Sequence, residues 1–574
     1  MIRKDLLSLE HFRDRLSHID SLPQLLILGV LSGAMAGLIV MAFRLVVEIP
    51  LSLYLPGHNP ENFEALPDMV RVLLPVAGSL LLILLIWRLT PERRKVGVVH
   101  VLERLRYHQG NLPAANLLAQ FGAASIALLS GHSVGREGPA IHLGAGGASL
   151  IGQWLRLPNN SMRLLVGCGT AAGISAAFNT PLAGVVFAME VVLLEYTVLG
   201  FTPIIVAAVT ADLVIRASLG AEPLLSVPAL SIGGLSEIPM VMLLGLLIGL
   251  LAGGFNRIML FTLKLGRYPI YWRLLLAGIL TGLVALVVPQ VMGVGYDTVS
   301  DSLLGHHELF WLAGLLLAKW LLTPVVLGLG VPGGLIGPTF FIGAVAGALI
   351  GSLGQLISDQ LSHSGLYAMI GMGAMMGAVL NAPLAALIAL LELTGNPHII
   401  LPGMLAIVIS NLTVRALFGL PSIFQSLLQA QGLDYRQEPL AQVLSRAAVG
   451  SLMQRKFLRA GLEVTPEYAE NLAQQAQEWI LLADPEPRAL LPRSDLLLWL
   501  EQQESAPDHL NLLDIPAQRR DAVMVSFRAT LQEAADCMRE RETDILCVSS
   551  NRGDIIGLLT RAQLEAYYLR KQAI

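Results

Sequence analysis

The sequence GREGP at residues 135–139 places two charged side chains, Arg136 and Glu137, in a long apolar stretch of the chain. A charge at the centre of a bilayer costs about 2.5–3.5 kcal/mol on insertion scales, so such residues usually have a function. Pro139 suits the first turn of a helix, and a helix N-terminus offers free N–H groups and the positive end of the helix dipole. Adjacent helical residues do not face each other, so an ion pair between the two charges is not expected. We therefore predict that Glu137 lies at a helix N-terminus that attracts negative groups.

The same arrangement occurs a second time in the chain. Two pairs of segments align, EGPAIHLGAGGASLIG (137–152) with IGPTFFIGAVAGALIG (336–351) at an offset of 199, and FNTPLAGVVFAME (178–190) with LNAPLAALIALLE (380–392) at an offset of 202. Two such helix N-termini that converge at mid-membrane would form an anion site without a formal positive charge. The second copy has Ile336 in place of Glu137, so the repeat architecture itself does not require the carboxylate.

The composition indicates that these motifs belong to a membrane protein. Only 14% of the 574 residues are charged and the mean hydropathy is +0.64, whereas soluble proteins carry about 25% charged residues. Residues 436–574 hold 36 charged residues, and the first 435 residues hold 44. We therefore predict three parts: a cytoplasmic amphipathic N-terminal helix (1–22), a membrane domain (23–435, with repeats over about 23–220 and 237–418), and a soluble cytoplasmic domain (436–574).

Apolar segments of two lengths predict the architecture of the membrane domain. A spanning helix needs about 20 residues, and five segments are long enough: 24–47, 69–90, 238–255, 270–289 and 309–329. Shorter segments, cut by Gly and Pro, cover 114–130, 139–153, 162–177, 181–194, 338–352, 366–380, 383–393 and 400–418. Helices that end inside the membrane are tolerated where their ends are buried in protein or line a cavity. The predicted fold class is an all-α polytopic membrane protein with inverted repeats and broken helices, plus a small α/β cytoplasmic domain, as is typical of transporters and channels.

Charge and cysteine content indicate the orientation of the chain in the membrane and which partners and sites are not expected. Lys and Arg cluster in the N-terminal segment and in two loops, which predicts that these parts and both termini are cytoplasmic in a bacterial-type inner membrane. The net charge of −4 gives no reason to expect a nucleic acid. Cys168, Cys537 and Cys547 are too few and too scattered for a disulfide framework or a metal site.

Several motifs in the right order resemble the CLC family of chloride channels and proton-coupled anion exchangers. GREGP (135–139) is one of the family's signature segments, and GVPGGLIGP (330–338) is similar to a second, in which Phe is usual at position 336. Three further segments are similar to later membrane helices of the family: NTPLAGVVFAME (179–190), NAPLAALIALLE (381–392) and LPSIFQSLLQAQG (420–432). The resemblance covers about 25–435. It implies transport of chloride or a similar small anion across the lipid bilayer by a homodimer in which each subunit has its own pathway.

The resemblance also implies roles for single residues. Glu137 looks like the gating glutamate, whose carboxylate occupies an anion site in the closed state and leaves it in the open state. The backbone N–H groups at six positions look like anion ligands: Gly135, Arg136, Gly138, Leu335, Ile336 and Gly337.

This chain departs from the family pattern at three positions. Val96 stands where the family has a serine, and Phe424 stands where it has a tyrosine, so two hydroxyl donors to the central anion are missing. Val191 stands where proton-coupled exchangers have a glutamate at the inner end of the proton route. Glu195 lies on the same face as Val191 if the helix continues, and is a candidate substitute. Glu190 recurs in the second repeat, which favours a structural role.

The C-terminal region resembles a pair of CBS domains. Residues 522–570 predict the order strand, helix, strand, turn, strand, helix, and a weaker copy precedes them, since 489–500 aligns with 556–567. In that family an aspartate often binds the ribose of an adenine nucleotide. Asp495 suits this role in the first copy, but Gln563 replaces it in the second. A structural pair that aids dimerisation is the alternative to a nucleotide sensor.

We therefore predict a non-enzymatic, channel-like or weakly proton-coupled anion transporter without a required cofactor, with a coupled chloride/proton antiporter as the alternative. A sensor that binds anions without passing them would share the same sites. An intramembrane hydrolase would need a catalytic group such as Ser133 with His132 or His142, and HExxH is absent from the sequence.

Overall fold

A computed structural model of the chain describes residues 12–13, 16, 21–196, 198–220, 225, 227, 230–305, 308–357, 362–433, 439–503, 509–550 and 553–572. These residues form two compact units. The membrane unit comprises Leu25–Leu155 and Met162–Tyr435, and the C-terminal unit comprises the described residues among Met1–Gln24, Arg156–Ser161 and Arg436–Ile574. Most of the amphipathic helix predicted over 1–22 lies outside the described residues.

The membrane unit is built of helices. In chain order they are α1 (Leu22–Tyr54), α2 (Asp68–Trp87), α3 (Gly97–Tyr107), α4 (Ala114–Leu129), α5 (Glu137–Trp154), α6 (Asn159–Phe178), α7 (Pro181–Phe187), α8 (Val198–Leu219), α9 (Ile238–Leu263), α10 (Ile270–Val287), α11 (Tyr296–Leu304), α12 (Leu309–Leu329), α13 (Ile336–Ile357), α14 (Ser364–Leu380), α15 (Pro383–Thr394), α16 (Ile400–Thr413) and α17 (Ile423–Ala430). Two π-helical turns, Ala188–Leu193 and Val414–Phe418, continue α7 and α16.

This architecture confirms the predicted polytopic fold class. In the part of the chain that the structure describes, nine helical segments are long and apolar enough to cross a membrane, and four shorter apolar helices accompany them. The sequence analysis missed α8, which carries Asp212 and Arg216. These two side chains pair at 2.6 Å one turn apart, which lowers the cost of placing both charges in an apolar helix.

The two sequence repeats contact each other through equivalent residues. Glu190 of the first copy accepts hydrogen bonds from the N–H groups of Leu384 and Ala385 at the start of α15 (3.2 and 2.7 Å). Glu392 of the second copy accepts them from the equivalent Leu182 and Ala183 at the start of α7 (3.0 and 2.7 Å). Such reciprocal contacts require the two copies to face each other across an approximate two-fold axis. The structural role favoured for Glu190 is thereby confirmed, since each glutamate caps a helix N-terminus of the other repeat.

The C-terminal unit combines short strands and helices. Its strands are β1 (Leu458–Ala460), β2 (Glu463–Val464), β3 (Trp479–Asp484), β4 (Glu486–Pro492), β5 (Leu510–Asn511), β6 (Arg520–Asp521), β7 (Met524–Ser526), β8 (Ile545–Ser549) and β9 (Ile555–Thr560). Its helices are α18 (Pro439–Leu444), α19 (Pro466–Gln474), α20 (Arg493–Gln502), α21 (Leu531–Glu540) and α22 (Arg561–Gln572).

Two copies of one topology make up most of this unit. The order β7, α21, β8, β9, α22 is the one predicted for 522–570, and β8 pairs in parallel with β7 and antiparallel with β9. The first copy repeats this order as β1, α19, β3, β4, α20, with β3 parallel to β1 and antiparallel to β4. The predicted α/β fold of this region is therefore confirmed. The first, degenerate copy begins at β1, well before the aligned segment 489–500. Its strands keep an apolar pattern but no recognisable sequence motif.

Candidate functional site

Glu137 is the first residue of α5 and is fully buried. The hydroxyl of Tyr296, the first residue of α11, donates a hydrogen bond to Glu137 Oε1 at 2.6 Å. Glu137 Oε2 has no hydrogen-bond partner among the described residues. The carboxylate is therefore held on one side by a single tyrosine and lies otherwise against the N-terminus of its own helix, where the helix dipole stabilises a negative charge.

Arg136 does not pair with Glu137. Its guanidinium forms an ion pair with Glu48 of α1 at 2.7 Å, and Glu48 also pairs with Arg44 at 3.0 Å. The Arg136 guanidinium carbon lies 5.3 Å from the centre of the Tyr296 ring. This cation–π contact fixes the ring whose hydroxyl binds Glu137, so Arg136 supports the glutamate indirectly.

The two loops that precede α5 and α13 are joined at equivalent glycines. Gly135 N donates to Gly334 O (2.7 Å) and Gly334 N donates to Gly135 O (2.6 Å), which forms an antiparallel bridge. The close approach requires glycine: a Cβ on Gly334 would lie 2.6 Å from Gly138 N, and a Cβ on Gly337 would lie 2.6 Å from Glu137 Oε1. The Glu137 carboxylate thus lies against the start of the opposite repeat as well as its own.

A cavity of about 230 Å³ lies beside this junction. Four helix N-termini border it, through Gly97 of α3, Gly138 of α5, Ile336 of α13 and Phe424 of α17. Each N-terminus contributes free N–H groups and a positive dipole end, so the cavity attracts anions without a formal positive charge. Sequence reasoning identified two of the four, because only α5 and α13 begin with a recognisable Gly-Pro pair.

The predicted anion ligands are distributed along this junction. Leu335, Ile336 and Gly138 line the cavity, and so do Val96 and Phe424, the two positions that lack a hydroxyl. Arg136 and Gly337 lie around the Glu137 carboxylate. The prediction for Gly135 is wrong, because its N–H group donates to Gly334 O at 2.7 Å and is not free to bind an anion.

Gln120 is a cavity residue that the sequence analysis missed. It is buried on α4, and its Oε1 accepts a hydrogen bond from Gly97 N at 2.6 Å, which fixes the start of α3. Its side chain also lines the cavity. The sequence signal that could have identified Gln120 is a single glutamine in the apolar sequence of α4, since buried amide side chains are usually hydrogen-bonded.

Tyr296 is the second missed residue, and a loop carboxyl group lies beside it. Glu61, in the loop between α1 and α2, accepts a hydrogen bond from Tyr296 N. Burial, together with the neighbouring Asp297, raises the pKa of Glu61 to about 7. This carboxyl group therefore changes charge near neutral pH next to the tyrosine that holds Glu137.

The suggested substitute for the missing inner carboxyl group is not placed as expected. Val191 is buried in the π-helical turn Ala188–Leu193, which ends at Leu194 in the left-handed conformation. The helix therefore does not continue, and Glu195 does not share a helical face with Val191. Glu195 instead pairs with Arg163 at 3.4 Å.

The side chains of the three residues considered for a hydrolase contact three different partners. Ser133 hydrogen-bonds Thr323 (2.9 Å), and His132 hydrogen-bonds Ser79 (3.2 Å). His142 contacts His100 (2.8 Å). The structure does not bring Ser133 together with either histidine as a nucleophile and base.

In the C-terminal unit, Asp495 and Gln563 both make local hydrogen bonds. The Asp495 carboxylate accepts them from Ser494 Oγ (3.1 Å) and Gln518 N (2.8 Å). Gln563 Oε1 accepts one from Thr560 N (2.8 Å) at the start of α22. Nucleotide binding at Asp495 therefore stays a prediction.

Comparison with known proteins agrees with this geometry. A family model described as voltage gated chloride channel matches residues 78–415. A ClcB-like protein of Ralstonia nicotianae is 33% identical over 438 residues, which cover 73% of this chain and 99% of the relative. The voltage-gated ClC-type chloride channel ClcB of Escherichia coli is 31% identical over 406 residues, which cover 68% of this chain and 96% of the relative.

Solved structures share the fold. A slow cyanobacterial Cl−/H+ antiporter superposes with a TM-score of 0.62 at 24% identity, covering 71% of this chain and 97% of its own. A eukaryotic CLC transporter superposes with a TM-score of 0.59 at 18% identity, covering 94% of this chain and 97% of its own.

Fold and site together define a polytopic membrane transport protein with helix N-termini around a central cavity. The chain belongs to the voltage gated chloride channel family, the CLC family.

Proposed function

We propose that this protein transports chloride or a similar small anion across a bacterial inner membrane, with both termini in the cytoplasm. The anion passes through the cavity bordered by α3, α5, α13 and α17, and Glu137 gates the pathway. The protein acts as a homodimer in which each subunit transports independently. Related proteins are described as chloride channels, and a structural neighbour is described as a Cl−/H+ antiporter, which supports the choice of anion.

One observation carries this proposal. The Glu137 carboxylate lies where the N-termini of α5 and α13 meet, with Oε2 unbonded among the described residues. A carboxylate is itself an anion, so it competes with chloride for the same positive helix N-termini. Protonation would remove its charge and weaken its hold on that site, and the anion could then take its place.

In this proposal, no proton is transferred through the side chain of Val191. Valine can neither bind nor release a proton, and the Glu195 carboxylate is held by Arg163. A channel-like or weakly coupled protein needs no inner proton group. Coupled exchange, the second candidate, needs an inner route built from other residues.

The C-terminal unit serves dimerisation in this proposal rather than nucleotide sensing. Asp495 and Gln563 both make hydrogen bonds within the chain, and no step of transport is assigned to a nucleotide.

The substitution Glu137→Gln tests the gate. Chloride efflux from liposomes that contain the purified protein should be steeply pH-dependent in the natural protein. It should become fast and pH-independent in the variant, because an amide carries no charge to compete with chloride. The matched control is Glu237→Gln, since Glu237 is also buried but hydrogen-bonds Tyr367 and Ser362.

Two results would contradict the proposal in different ways. A Glu137→Gln variant whose flux still rises steeply with acid would remove Glu137 as the gate. Absence of any anion flux from the natural protein would overturn transport itself and favour an anion sensor.

A further inference from the structure

Two buried histidines connect α3 with α5 in the membrane unit. His100 is 2% exposed and His142 is completely buried. His100 Nδ1 lies 2.8 Å from His142 Nε2, and the ring centres are 5.1 Å apart. The transport proposal above assigns no role to either residue.

The hydrogen bonds determine which nitrogen carries each proton. Arg104 Nε donates to His100 Nε2 at 3.1 Å, and arginine can only donate, so this nitrogen is unprotonated. A neutral imidazole then carries its proton on Nδ1, which donates to His142 Nε2. The proton of His142 therefore lies on Nδ1.

That last N–H group is left unsatisfied. His142 Nδ1 has no hydrogen-bond partner among the described residues, and a buried, unpaired donor costs about 1–3 kcal/mol. The open donor leaves His142 Nδ1 able to pass a proton onward, whereas the other ring nitrogens of the pair are engaged in hydrogen bonds.

The position of the pair suits an inner route to Glu137. His142 follows Gly138 by one helical turn on the same face of α5, and Gly138 lines the cavity. His142 also lies five residues, about 7.5 Å along the helix axis, beyond Glu137. Exposure increases at four-residue intervals from buried His100 through half-buried Arg104 on α3 to exposed His108, which directly follows the end of this helix. These three residues connect the protein surface with the interior.

We propose that His100 and His142 form the inner part of a proton route to Glu137, in place of the carboxyl group missing at position 191. This proposal rests on the transport function proposed above, which it makes a proton-coupled one. When Arg104 moves aside, His100 Nε2 accepts a proton from the inner side and the Nδ1 proton passes to His142 Nε2. The Nδ1 proton of His142 then leaves toward Glu137, across the remaining distance through water.

This transfer is balanced and reversible. One proton enters and one leaves, and both rings stay neutral but change tautomer. From the new tautomers the same steps run in the opposite direction, so the route returns to its starting state by carrying a proton back or by reorientation of the rings.

The surrounding charges favour transfer without a stable imidazolium. Two cations, Arg104 and Lys95, interact electrostatically with His100. Lys95 is itself paired with Glu103 at 2.7 Å. Two cations beside His100 disfavour a lasting positive charge on its ring, which leaves tautomer exchange as the means of conduction.

The test records anion and proton movement simultaneously in liposomes that contain the full-length protein and an imposed chloride gradient. The natural protein should move protons uphill. His142→Gln and His100→Gln keep a hydrogen-bonding amide but cannot exchange tautomers, so proton movement should fall about a hundredfold, as for loss of a positioned proton-transfer group. Chloride flux should persist in both variants.

Two further variants complete the test. His132→Gln is the matched control, since His132 is also buried but hydrogen-bonds Ser79, and it should leave both fluxes unchanged. Arg104→Ala frees His100 Nε2 and should increase the number of protons moved per anion. Because Arg104 lies near the surface, this variant provides an answer even if the histidine variants do not fold.

The outcomes separate this proposal from the transport function. Anion flux without proton movement in the natural protein would overturn the histidine route and leave anion transport intact. Proton movement that is unchanged in His100→Gln, His142→Gln and Arg104→Ala would do the same. Absence of both fluxes from the natural protein would overturn the transport function and the histidine route with it.

Discussion

Tyr296 holds the carboxylate of Glu137 through one hydrogen bond. The bond measures 2.6 Å, and a hydrogen bond to a charged group contributes about 1.5–3 kcal/mol. In Tyr296→Phe the carboxylate should leave its site more readily, and chloride flux at neutral pH should rise about tenfold, the ratio that corresponds to the lower end of that energy. Stopped-flow efflux from liposomes measures the change.

Tyr367→Phe is the matched control for this prediction. Tyr367 is also buried, and its hydroxyl also donates to a glutamate, Glu237, at 2.6 Å. Its loss should leave the flux at neutral pH unchanged. Equal effects in the two variants would mean that Tyr296 acts on general stability and not on Glu137.

Val96 and Phe424 concern the affinity of the cavity for anions. Both line it, and neither side chain carries a hydroxyl group. The double variant Val96→Ser with Phe424→Tyr adds two donors, each worth about 0.5–1.5 kcal/mol and more toward a charged group. Chloride should then bind several-fold tighter in calorimetry.

The control here is Val241→Thr, a buried position on α9 away from the cavity. It should not change chloride affinity. If the double variant also binds chloride as the natural protein does, neither side chain faces the bound anion.

At the scale of the elements, each repeat completes the other. The N-termini of α7 and α15 receive their acceptors from Glu392 and Glu190 respectively. Glu392→Ala leaves two N–H groups without their charged acceptor, so the variant should lose about 1–3 kcal/mol for each unsatisfied group. The apparent unfolding temperature in detergent should fall, and protein that remains folded should still transport.

Glu190→Ala should behave in the same way, because the two caps are equivalent. Glu308→Ala is the control: Glu308 is exposed at the start of α12 but makes no side-chain capping bond there. A Glu190→Ala variant with normal stability and altered proton coupling would contradict the structural assignment and return Glu190 to the transport pathway.

For the whole molecule, the proposed homodimer can be tested for independent action of its subunits. All the groups assigned to the pathway belong to one membrane unit. In a covalently linked dimer with one natural copy and one Glu137→Gln copy, flux should therefore equal half the sum of the two parent dimers at every pH. Flux that follows either parent alone would show that the subunits gate together, and a monomer in cross-linking and light scattering would exclude the dimer.

The amino-acid sequence by itself predicted the fold class, the repeats and the position of Glu137. Long apolar segments must become helices in a bilayer because their backbone groups have no other hydrogen-bond partners there. Gly-Pro pairs mark helix starts because the fixed φ angle of proline suits the first turn of a helix. The α/β order of residues 522–570 followed in the same way from strand and turn patterns along the chain. These features depend on neighbours in sequence, and one sequence is enough to predict them.

The tertiary structure decided which distant groups meet. Tyr296 is 159 positions from Glu137, and His100 is 42 positions from His142. Their pairing depends on how helices pack and not on any local pattern. Glu195 does not share a helical face with Val191, because a single left-handed residue, Leu194, ends the helix before it. Hydropathy and spacing describe where the chain forms helices, but the contacts that hold a carboxylate or carry a proton arise only when those helices are brought together.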